Sequence, residues 1–365
     1  MKETFYHLGI CEIICHMYTP KYTITNEVLK NIGTIEGSRE IILNAPLVPA
    51  YEKKFREEAI IRTVHHGTHI EGNELNLTEA EAVLKGKQIV ARDRDIQEVI
   101  NYRNVLNYLE FVGAGEVSGG KITQQVLEKI HFLAVEKILD GDKCGVYRKT
   151  QVVVKNSLTG EITFRPPPAI EVPFQVDEFL EWVNKLKQGE IHPVIKAGIT
   201  HYELVRIHPF IDGNGRTARA VATLVLFLDN YDIRRFFSLE EYFDSDATNY
   251  YDALKSASSG DLTVWMEYFT KGLAIELNRI KEKIKKLSTD VHLKEKLGGK
   301  QVFLTERQIA IMEYIQRAGY LQNQSFEELF PKISEDTILR DLKDLLDKGI
   351  IKKEGKTKAA RYMLK

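Results

Sequence analysis

A short segment of the chain combines residue types that could bind and transfer a phosphate group. It reads His208-Pro209-Phe210-Ile211-Asp212-Gly213-Asn214-Gly215-Arg216-Thr217-Ala218-Arg219. The imidazole of His208 is the side chain that most often acts as a base at neutral pH. Asp212 carries the hard oxygen ligands that Mg²⁺ takes beside phosphates. The segment therefore offers a proton acceptor and a metal ligand four residues apart.

The second half of this segment is typical of an anion site at the start of a helix. Gly213-Asn214-Gly215 precedes a helical run from Arg216 to Leu228. Backbone N–H groups at a helix start attract negative charge, and glycines let the backbone approach an anion closely. Arg216 and Arg219 are three residues apart, so both guanidinium groups can face the same anion. The whole pattern predicts a bound nucleoside triphosphate beside a metal ion and a base.

Each fragment of this segment also has an ordinary structural explanation. Gly-Asn-Gly alone is a common turn, and His-Pro alone is usually a helix end. A dinucleotide-binding turn is disfavoured, because the glycine spacing differs and no strand pattern precedes the glycines. The joint occurrence of base, acid, glycines and two arginines favours the functional interpretation.

The segment resembles the signature of Fic-domain proteins, His-x-Phe-x-Asp/Glu-Gly-Asn-Gly-Arg-x-x-Arg, and matches every fixed position. The resemblance covers roughly residues 1–290. It implies that His208 is the general base, Phe210 an apolar anchor and Asp212 the Mg²⁺ ligand. It also implies a nucleotide-binding nest formed by Gly213, Asn214, Gly215, Arg216, Thr217, Ala218 and Arg219. Most members transfer AMP from ATP to a protein hydroxyl, so the expected partners are ATP, Mg²⁺ and a target protein bearing Tyr, Ser or Thr, which can be the chain itself.

Two other segments are similar to functional elements of that family. The hairpin pattern at Gln151–Phe164, closed by three prolines, looks like the flap that docks the target; the alternative is a surface hairpin without a role. Asn249-Tyr250-Tyr251 resembles the region that contacts the nucleotide base, and Tyr251 is the preferred residue. The alternative there is a pair of core aromatic residues.

Gly67-Thr68-His69-Ile70-Glu71-Gly72 resembles the family's inhibitory helix, Ser/Thr-x-x-x-Glu-Gly/Asn. The resemblance implies that Glu71 pairs with Arg219 and obstructs the γ-phosphate. Gly67 stands at the Ser/Thr position here, and Thr68 comes one residue later. A structural alternative is that Gly72 simply ends a helix.

Composition narrows the class of protein. Among 365 residues, Lys+Arg 51 against Asp+Glu 52 gives a formal net charge of -1, which excludes a surface that is basic throughout. Three cysteines are too few for a disulfide framework and favour a reducing, cytoplasmic location. No apolar run approaches the ~20 residues that span a bilayer, so we expect no membrane partner. Histidines and cysteines fall into groups without the closed four-ligand pattern of structural zinc: His7, Cys11, Cys15 and His16; His65 and His69; His201 and His208.

The surrounding pattern predicts a mainly α fold, a helical Fic core with a small β-hairpin flap and a C-terminal winged-helix domain. We expect domains at 1–115 (an N-terminal Fic-associated region with the inhibitory helix), 116–290 (the catalytic core) and 300–365 (the winged helix). Periodicity predicts helices over 51–64, 95–111, 123–139, 172–186 and 193–206, a further helix from just after Ile207 through Leu228, and a helix start with Thr78 as N-cap and Glu81 as its capping-box partner.

The C-terminal module resembles a winged helix, with a recognition helix over 334–348 and a basic hairpin after it. Residues 348–365 contain seven Lys or Arg and one Glu, a local positive patch suited to DNA. The acidic residues of the recognition helix favour instead a docking or dimerisation module. Three alternatives stay open for the chain: de-AMPylation, transfer from another nucleotide, and a DNA-binding regulator whose Fic core senses nucleotide. We further expect a homodimer.

Overall fold

The computed structural model describes residues 18–45, 47, 49–155, 162–186, 189–287, 304–331, 333–355 and 360–365. His7, Cys11, Cys15 and His16 lie outside these residues. The described chain is mainly helical and has two short antiparallel hairpins, which confirms the predicted fold class. None of the helices described is long and apolar enough to cross a membrane.

The helices of the first three quarters of the chain are α1 (Asn26–Asn44), α2 (Pro49–His69), α3 (Leu77–Leu84), α4 (Asp93–Gly113), α5 (Gln124–Val135), α6 (Val172–Lys185), α7 (Pro193–Ile207), α8 (Asn214–Leu228), α9 (Leu239–Ser245), α10 (Ala247–Ser256) and α11 (Thr263–Leu287). They divide between two compact units. The first unit comprises the described residues within 18–23, 107–229 and 252–266. The second comprises the described residues within 24–106, 230–251 and 267–365.

The core of the first unit is built on α8. Its inward positions are small or branched apolar residues spaced for one helix face, and Ala220, Val221, Leu224 and Val225 have no exposed surface. Both α7 and α5 pack against this helix. A tryptophan closes the core at one point, where Trp265 Nε1 donates a hydrogen bond of 2.7 Å to the carbonyl of Gly198. This packing fixes the start of α8, where the phosphate site was predicted.

The predicted flap hairpin is confirmed as a hairpin. Strand β1 (Val154–Lys155) pairs antiparallel with β2 (Ile162–Phe164), and Val154 lies opposite Phe164. Residues 156–161, which hold the predicted turn, lie outside the described residues. The β-branched and aromatic residues of the two runs suit a pleated ladder.

Two predicted helix starts are wrong. The helix expected to begin just after Ile207 begins only at Asn214, because the residue before a proline is pushed out of the helical region and His208 precedes Pro209. The N-cap expected at Thr78 is Asn76, whose side chain accepts from Glu79 N while Glu79 accepts from Asn76 N. Asparagine is a stronger N-cap than threonine, and the reciprocal pair satisfies two free donors.

The C-terminal residues form the predicted winged helix. It consists of α12 (Glu306–Ala318), α13 (Phe326–Leu329), α14 (Glu335–Asp347) and the antiparallel strands β3 (Ile351–Glu354) and β4 (Arg361–Leu364). It has its own apolar core, which includes Ile311, Met312, Ile315, Ile338, Leu342, Leu345 and Tyr362. The start of α12 carries a capping box between Thr305 and Gln308. Helix α11, which precedes this module in the sequence, ends at Leu287, and residues 288–303 lie outside the described residues.

Candidate active site at the start of helix α8

His208 ends helix α7 in the left-handed backbone conformation, with φ 51 and ψ 59. Its N–H donates to the carbonyl of Leu204, and its Nδ1 lies 3.3 Å from the carbonyl oxygen of Val205. A carbonyl oxygen only accepts, so Nδ1 carries the proton in this hydrogen bond. The tautomer leaves Nε2 with the lone pair. The imidazole is therefore set up to accept a proton at Nε2.

Residues 208–213, here called the motif loop, are closed by Asn214. Its Oδ1 accepts from Phe210 N at 2.9 Å, and its Nδ2 donates to Phe210 O at 2.9 Å. Phe210 is fully buried, and its ring lies parallel to that of His131 at a centroid distance of 3.7 Å. The side chain of Asn214 is thus committed to the loop, and Asn214 can face an anion only through its backbone N–H.

Gly213 is required at its position for two reasons. Its φ is +74, a conformation that side-chain-bearing residues rarely adopt. A Cβ atom there would stand 2.6 Å from Cγ1 of Val135 on helix α5. The glycine lets the loop lie directly against α5, and as the residue before α8 it brings no side chain to cap the first N–H groups. Those N–H groups can therefore bind a phosphate.

The two arginines of the motif are buried at the first turns of α8. Arg216 and Arg219 are each 2% exposed, and Nη1 of Arg216 donates to the carbonyl of Ala134 at 3.4 Å. Burial and then the charge of Arg219 lower the pKa of the neighbouring His201, which stacks on Trp265 and is neutral. Thr217 and Ala218 face inward: Thr217 Oγ1 donates to Gly213 O at 2.9 Å, and Ala218 is fully buried. Two buried positive charges at a helix start make a strong anion site.

Asp212 is held by an unexpected residue, His131 of α5. Gly145 N donates to His131 Nδ1 at 2.8 Å, so the second nitrogen, Nε2, carries the proton and donates to the carbonyl of Asp212 at 2.9 Å. The Oδ1 atom of Asp212 accepts from Gly213 N at 2.6 Å. Burial lowers the pKa of His131 to about 4, which keeps it in this neutral tautomer. The sequence did not predict a role for His131, since a lone histidine in an apolar helix carries no local signal.

We expect the first unit to lose stability on acidification because of His131. Its pKa is about 4 in the fold and ~6.5 in an unfolded chain, so between these values only the unfolded chain binds the proton. The contribution of His131 to the free energy of unfolding is fully present above pH 6.5 and falls as the pH drops towards 4. At pH 5 the loss from this group is about 2 kcal/mol. Urea unfolding at pH 7 and 5 measures it, because the two tryptophans, Trp182 and Trp265, both lie in the first unit.

The control for this measurement is His131→Phe, which keeps an aromatic ring on Phe210 and removes the titrating group. It should be less stable than wild type at pH 7 and lose about 2 kcal/mol less between pH 7 and 5. Equal losses in the two proteins would contradict the assignment of this pH dependence to His131.

Arg148 is a second residue of the site for which the sequence predicted no role. It is 4% exposed, and its guanidinium donates from Nε to the carbonyl of His208 at 2.8 Å and from Nη2 to the carbonyl of Pro167 at 2.6 Å. Its own N–H donates to the carbonyl of Pro209. Burial lowers the pKa of this guanidinium from its ordinary value. The carbonyl groups of the motif loop are therefore bound from two elements. His131 of α5 binds the carbonyl of Asp212, and Arg148, in the segment before the hairpin, binds those of His208 and Pro209.

The residues predicted to inhibit belong to the second unit. Glu71 is exposed and follows the end of α2, and its N–H donates to Thr68 O at 3.0 Å. Glycine at 67 has a physical reason, since a Cβ there would lie 2.4 Å from the ring of Tyr102. Thr68 donates its hydroxyl to the carbonyls of Val64 and His65, within its own helix. The pairing of Glu71 with Arg219 stays a prediction.

Tyr251 is also in the second unit, and half of its surface is exposed. Tyr250 is 2% exposed and stacks on Phe243 with ring centroids 4.8 Å apart, so it is the core residue of the pair. Tyr251 is thus the tyrosine that a ligand can reach, and its contact with a nucleotide base stays a prediction.

The histidines of α2 are explained without a metal. His66 and His69 each hold the carboxylate of Asp244 through Nδ1, at 2.7 and 2.9 Å, and the ring of His65 packs on both. In the part of the chain that the structure describes, no group of three or more His, Cys, Asp or Glu could hold a metal ion. A magnesium ion bound by one carboxylate and phosphate oxygens needs no such group, and Asp212 beside the anion site fits that mode.

These features place an imidazole, on the loop, and two buried arginines, on the first turns of the helix that follows it, in one helical domain. Residues 121–226 match the model of the Fic/DOC family, and residues 307–355 match the model of the DeoR-like helix-turn-helix domain. The chain thus has a segment that matches a Fic domain and, after it, a segment that matches a DeoR-like helix-turn-helix domain.

Curated relatives carry the same domain. The protein adenylyltransferase Fic of Drosophila grimshawi is 27% identical over 242 residues, which are 66% of this chain and 46% of that protein. The protein adenylyltransferase Fic of Nematostella vectensis is 25% identical over 252 residues, 66% of this chain and 53% of that protein. The chain spans about half the length of the curated relatives it matches.

Solved structures share the fold. A Fic family protein from Desulfovibrio desulfuricans G20 aligns with a TM-score of 0.63 and 24% identity, covering 95% of this chain and 98% of that one. Fic-1 from C. elegans aligns with a TM-score of 0.60 and 26% identity, covering 71% and 73%. Because the first likeness covers 95% of this chain, it includes both the segment that matches the Fic/DOC model and the segment that matches the DeoR-like model.

Proposed function

We propose that this protein is an adenylyltransferase that transfers AMP from ATP to a hydroxyl side chain of a target protein, which can be the chain itself. The observation that carries the proposal is the motif loop, where an imidazole with Nε2 as acceptor precedes a helix start with two buried arginines. The curated relatives named protein adenylyltransferase support it. Tyr, Ser and Thr all fit as acceptors.

The proposed reaction is one displacement at the α-phosphorus of ATP. The target hydroxyl oxygen forms the new P–O bond, the bond from the α-phosphorus to the bridging oxygen breaks, and pyrophosphate leaves. The hydroxyl proton passes to Nε2 of His208. Arg216, Arg219 and the first N–H groups of α8 stabilise the charge on the phosphates. Bound Mg²⁺, held by Asp212, would neutralise phosphate oxygens.

The flap hairpin is the proposed docking element. Strands β1 and β2 form a two-stranded sheet, so an extended target segment could add to an edge of it. Ile162 on β2 is exposed and offers an apolar contact. Tyr251 is the proposed contact of the nucleotide base, and Glu71 the proposed inhibitor that binds Arg219 and obstructs the γ-phosphate. The domain limits 1–115, 116–290 and 300–365, the homodimer and the cytoplasmic location stay predictions.

The proposal is tested with ATP labelled at either the α- or the γ-phosphate. Adenylyl transfer leaves α-label on protein and releases γ-label as pyrophosphate. Covalent γ-label would identify a phosphotransferase instead. Release of AMP from an adenylylated protein, without any incorporation of α-label, would identify the removal reaction.

Replacing Asp212 by asparagine should raise the Mg²⁺ concentration needed for half-maximal transfer by about ten-fold or more, because a charged ligand is lost while an acceptor for Gly213 N is kept. The measurement is a Mg²⁺ titration of initial rates at saturating ATP. Asp142→Asn removes an exposed carboxylate of the same unit and should leave the titration unchanged. Superimposable curves for Asp212→Asn and wild type would refute the role of Asp212.

A second candidate function is DNA binding, favoured by the DeoR-like match. Lys352, Lys353 and Arg361 are exposed on the strands of the wing. Two acidic residues of α14 are neutralised within the domain, since Asp341 pairs with Arg307 and Asp344 with Lys348. The other exposed acidic residues of α14 would repel DNA phosphates. The strands β3 and β4, which form the wing, are therefore the proposed basic contact surface.

The DNA-binding candidate is tested by the salt dependence of duplex binding. The logarithm of the DNA association constant falls with the logarithm of the salt concentration. Replacing Lys352 and Lys353 by glutamine should reduce the magnitude of this negative slope by about two, because two phosphate contacts are lost. Lys30→Gln and Lys53→Gln, which alter exposed lysines of α1 and α2, serve as the control. No duplex binding, or a slope that the wing variant does not change, would refute it.

A further inference from the structure

Arg148 has an unusual set of hydrogen-bond acceptors for a buried arginine. In the described residues all the acceptors of its guanidinium are main-chain carbonyls, of Thr150, Pro167, Ile207 and His208, at 3.3, 2.6, 3.5 and 2.8 Å. A guanidinium is a rigid planar fork, so it can fix several acceptors relative to each other. Charge-assisted hydrogen bonds of this kind are about twice as strong as neutral ones.

The carbonyls that it joins come from two functional segments. Thr150 and Pro167 lie just outside the two strands of the hairpin, where the chain enters and leaves it. Gln151 closes the same base, donating from Nε2 to Pro166 O at 3.0 Å. Ile207 and His208 lie where α7 ends and the motif loop begins. One guanidinium therefore connects the base of the hairpin to the main chain of the proposed general base.

His208 needs such support. Its left-handed backbone is unfavourable for a residue with a Cβ, and such conformations persist only where the surroundings fix them. The carbonyl that Arg148 binds belongs to this same residue, and the N–H of Arg148 fixes the next carbonyl, of Pro209. Loss of the guanidinium would release the peptide plane that orients the imidazole.

We propose that Arg148 is a positioning residue, which holds the backbone of His208 in its reactive conformation and ties it to the base of the flap hairpin. This inference rests on the proposed function. It assigns Arg148 no contact with ATP or with the target. A target segment that pairs with the hairpin strands would, through Thr150 and Pro167, also stabilise the backbone of His208, which accepts the proton of the target hydroxyl.

The test compares Arg148→Met and Arg148→Lys with wild type. Arg148→Met should lower kcat for transfer by about 100-fold, since a misplaced catalytic group has that effect, and should leave the Kd for ATP within about two-fold. Arg148→Lys keeps the charge on one nitrogen, and its kcat should lie between those of Arg148→Met and wild type. Amide hydrogen exchange should be faster in Arg148→Met both at 162–164 and at 208–213.

Asn184→Ala is the matched control. Asn184 also anchors main chain in the first unit, through the N–H and the carbonyl of Ile122, but on other segments. It should lose stability by tryptophan fluorescence with kcat and exchange at 208–213 unchanged. Unchanged exchange at 208–213 in Arg148→Met would overturn the proposal, as would a kcat equal to that of wild type. Faster exchange in a protein whose wild type transfers no label would support the positioning role and refute the proposed function alone.

Discussion

Replacing His208 by asparagine is expected to lower adenylyl transfer by at least about 100-fold while the Kd for ATP changes little. A general base contributes 10²–10⁴-fold, and the substitution leaves in place the start of α8 and its arginines, which are the proposed ATP site. Asparagine tolerates the left-handed backbone of His208 and can still donate to the carbonyl of Val205, but it cannot accept the proton. Initial rates with α-labelled ATP and an equilibrium ATP-binding assay measure the two quantities.

His208→Ala is the companion variant. It should be equally inactive, and it also loses the hydrogen bond to Val205. Any additional loss of stability in His208→Ala, compared with His208→Asn, therefore measures what this hydrogen bond contributes to stability. Transfer by His208→Asn at more than about a tenth of the wild-type rate would rule out His208 as the base.

Replacing Glu71 by glycine is expected to raise automodification by about ten-fold or more. A charge-assisted contact is worth about 1.5–3 kcal/mol, and about 1.4 kcal/mol corresponds to a ten-fold change in rate. The expected reason is that the proposed contact of Glu71 with Arg219 is lost, so that Arg219 can bind the γ-phosphate. Glycine at 67 removes the hydroxyl that the inhibitory pattern places there, so activation at the lower end of this range is expected. Initial rates at saturating ATP and Mg²⁺ measure it.

Two controls separate inhibition from a change in the loop. Glu74→Gly makes the same substitution three residues later, at an exposed residue paired with Arg92, and should leave the rate unchanged. Arg219→Ala in the Glu71→Gly background should cancel the gain. Equal rates for wild type and Glu71→Gly would show that this segment is structural and that control lies elsewhere.

Local patterns were sufficient for much of the fold. The apolar spacing predicted the helices α4, α6 and α7 to within two residues, and the β-rich runs around 151–164 predicted the hairpin. Where local rules competed, the prediction was wrong: the helix expected to begin just after Ile207 begins only at Asn214, beyond Pro209, and Asn76 rather than Thr78 is the N-cap of α3. These errors concern helix ends, which short-range preferences define only weakly.

The sequence by itself determined the residue types of the site and their order. Twelve consecutive residues supply the base, the acid, the glycines and the arginines, so their proximity needs no tertiary contact. The C-terminal module was likewise visible in the sequence, through its resemblance to a winged helix with a recognition helix and a basic hairpin.

Only the tertiary structure decided how that segment is held. The bond from Arg148 to His208 O joins residues 60 apart in sequence, and the bond from His131 to Asp212 O joins residues 81 apart. Both acceptors are main-chain carbonyls, which every residue has, so neither pairing leaves a pattern in the sequence. The steric need for glycine at 213 and at 67 likewise arises from Val135 and Tyr102, which reach those positions only when the helices pack. The sequence specified the residue types of the candidate site, whereas packing between distant segments fixed the main chain that carries them.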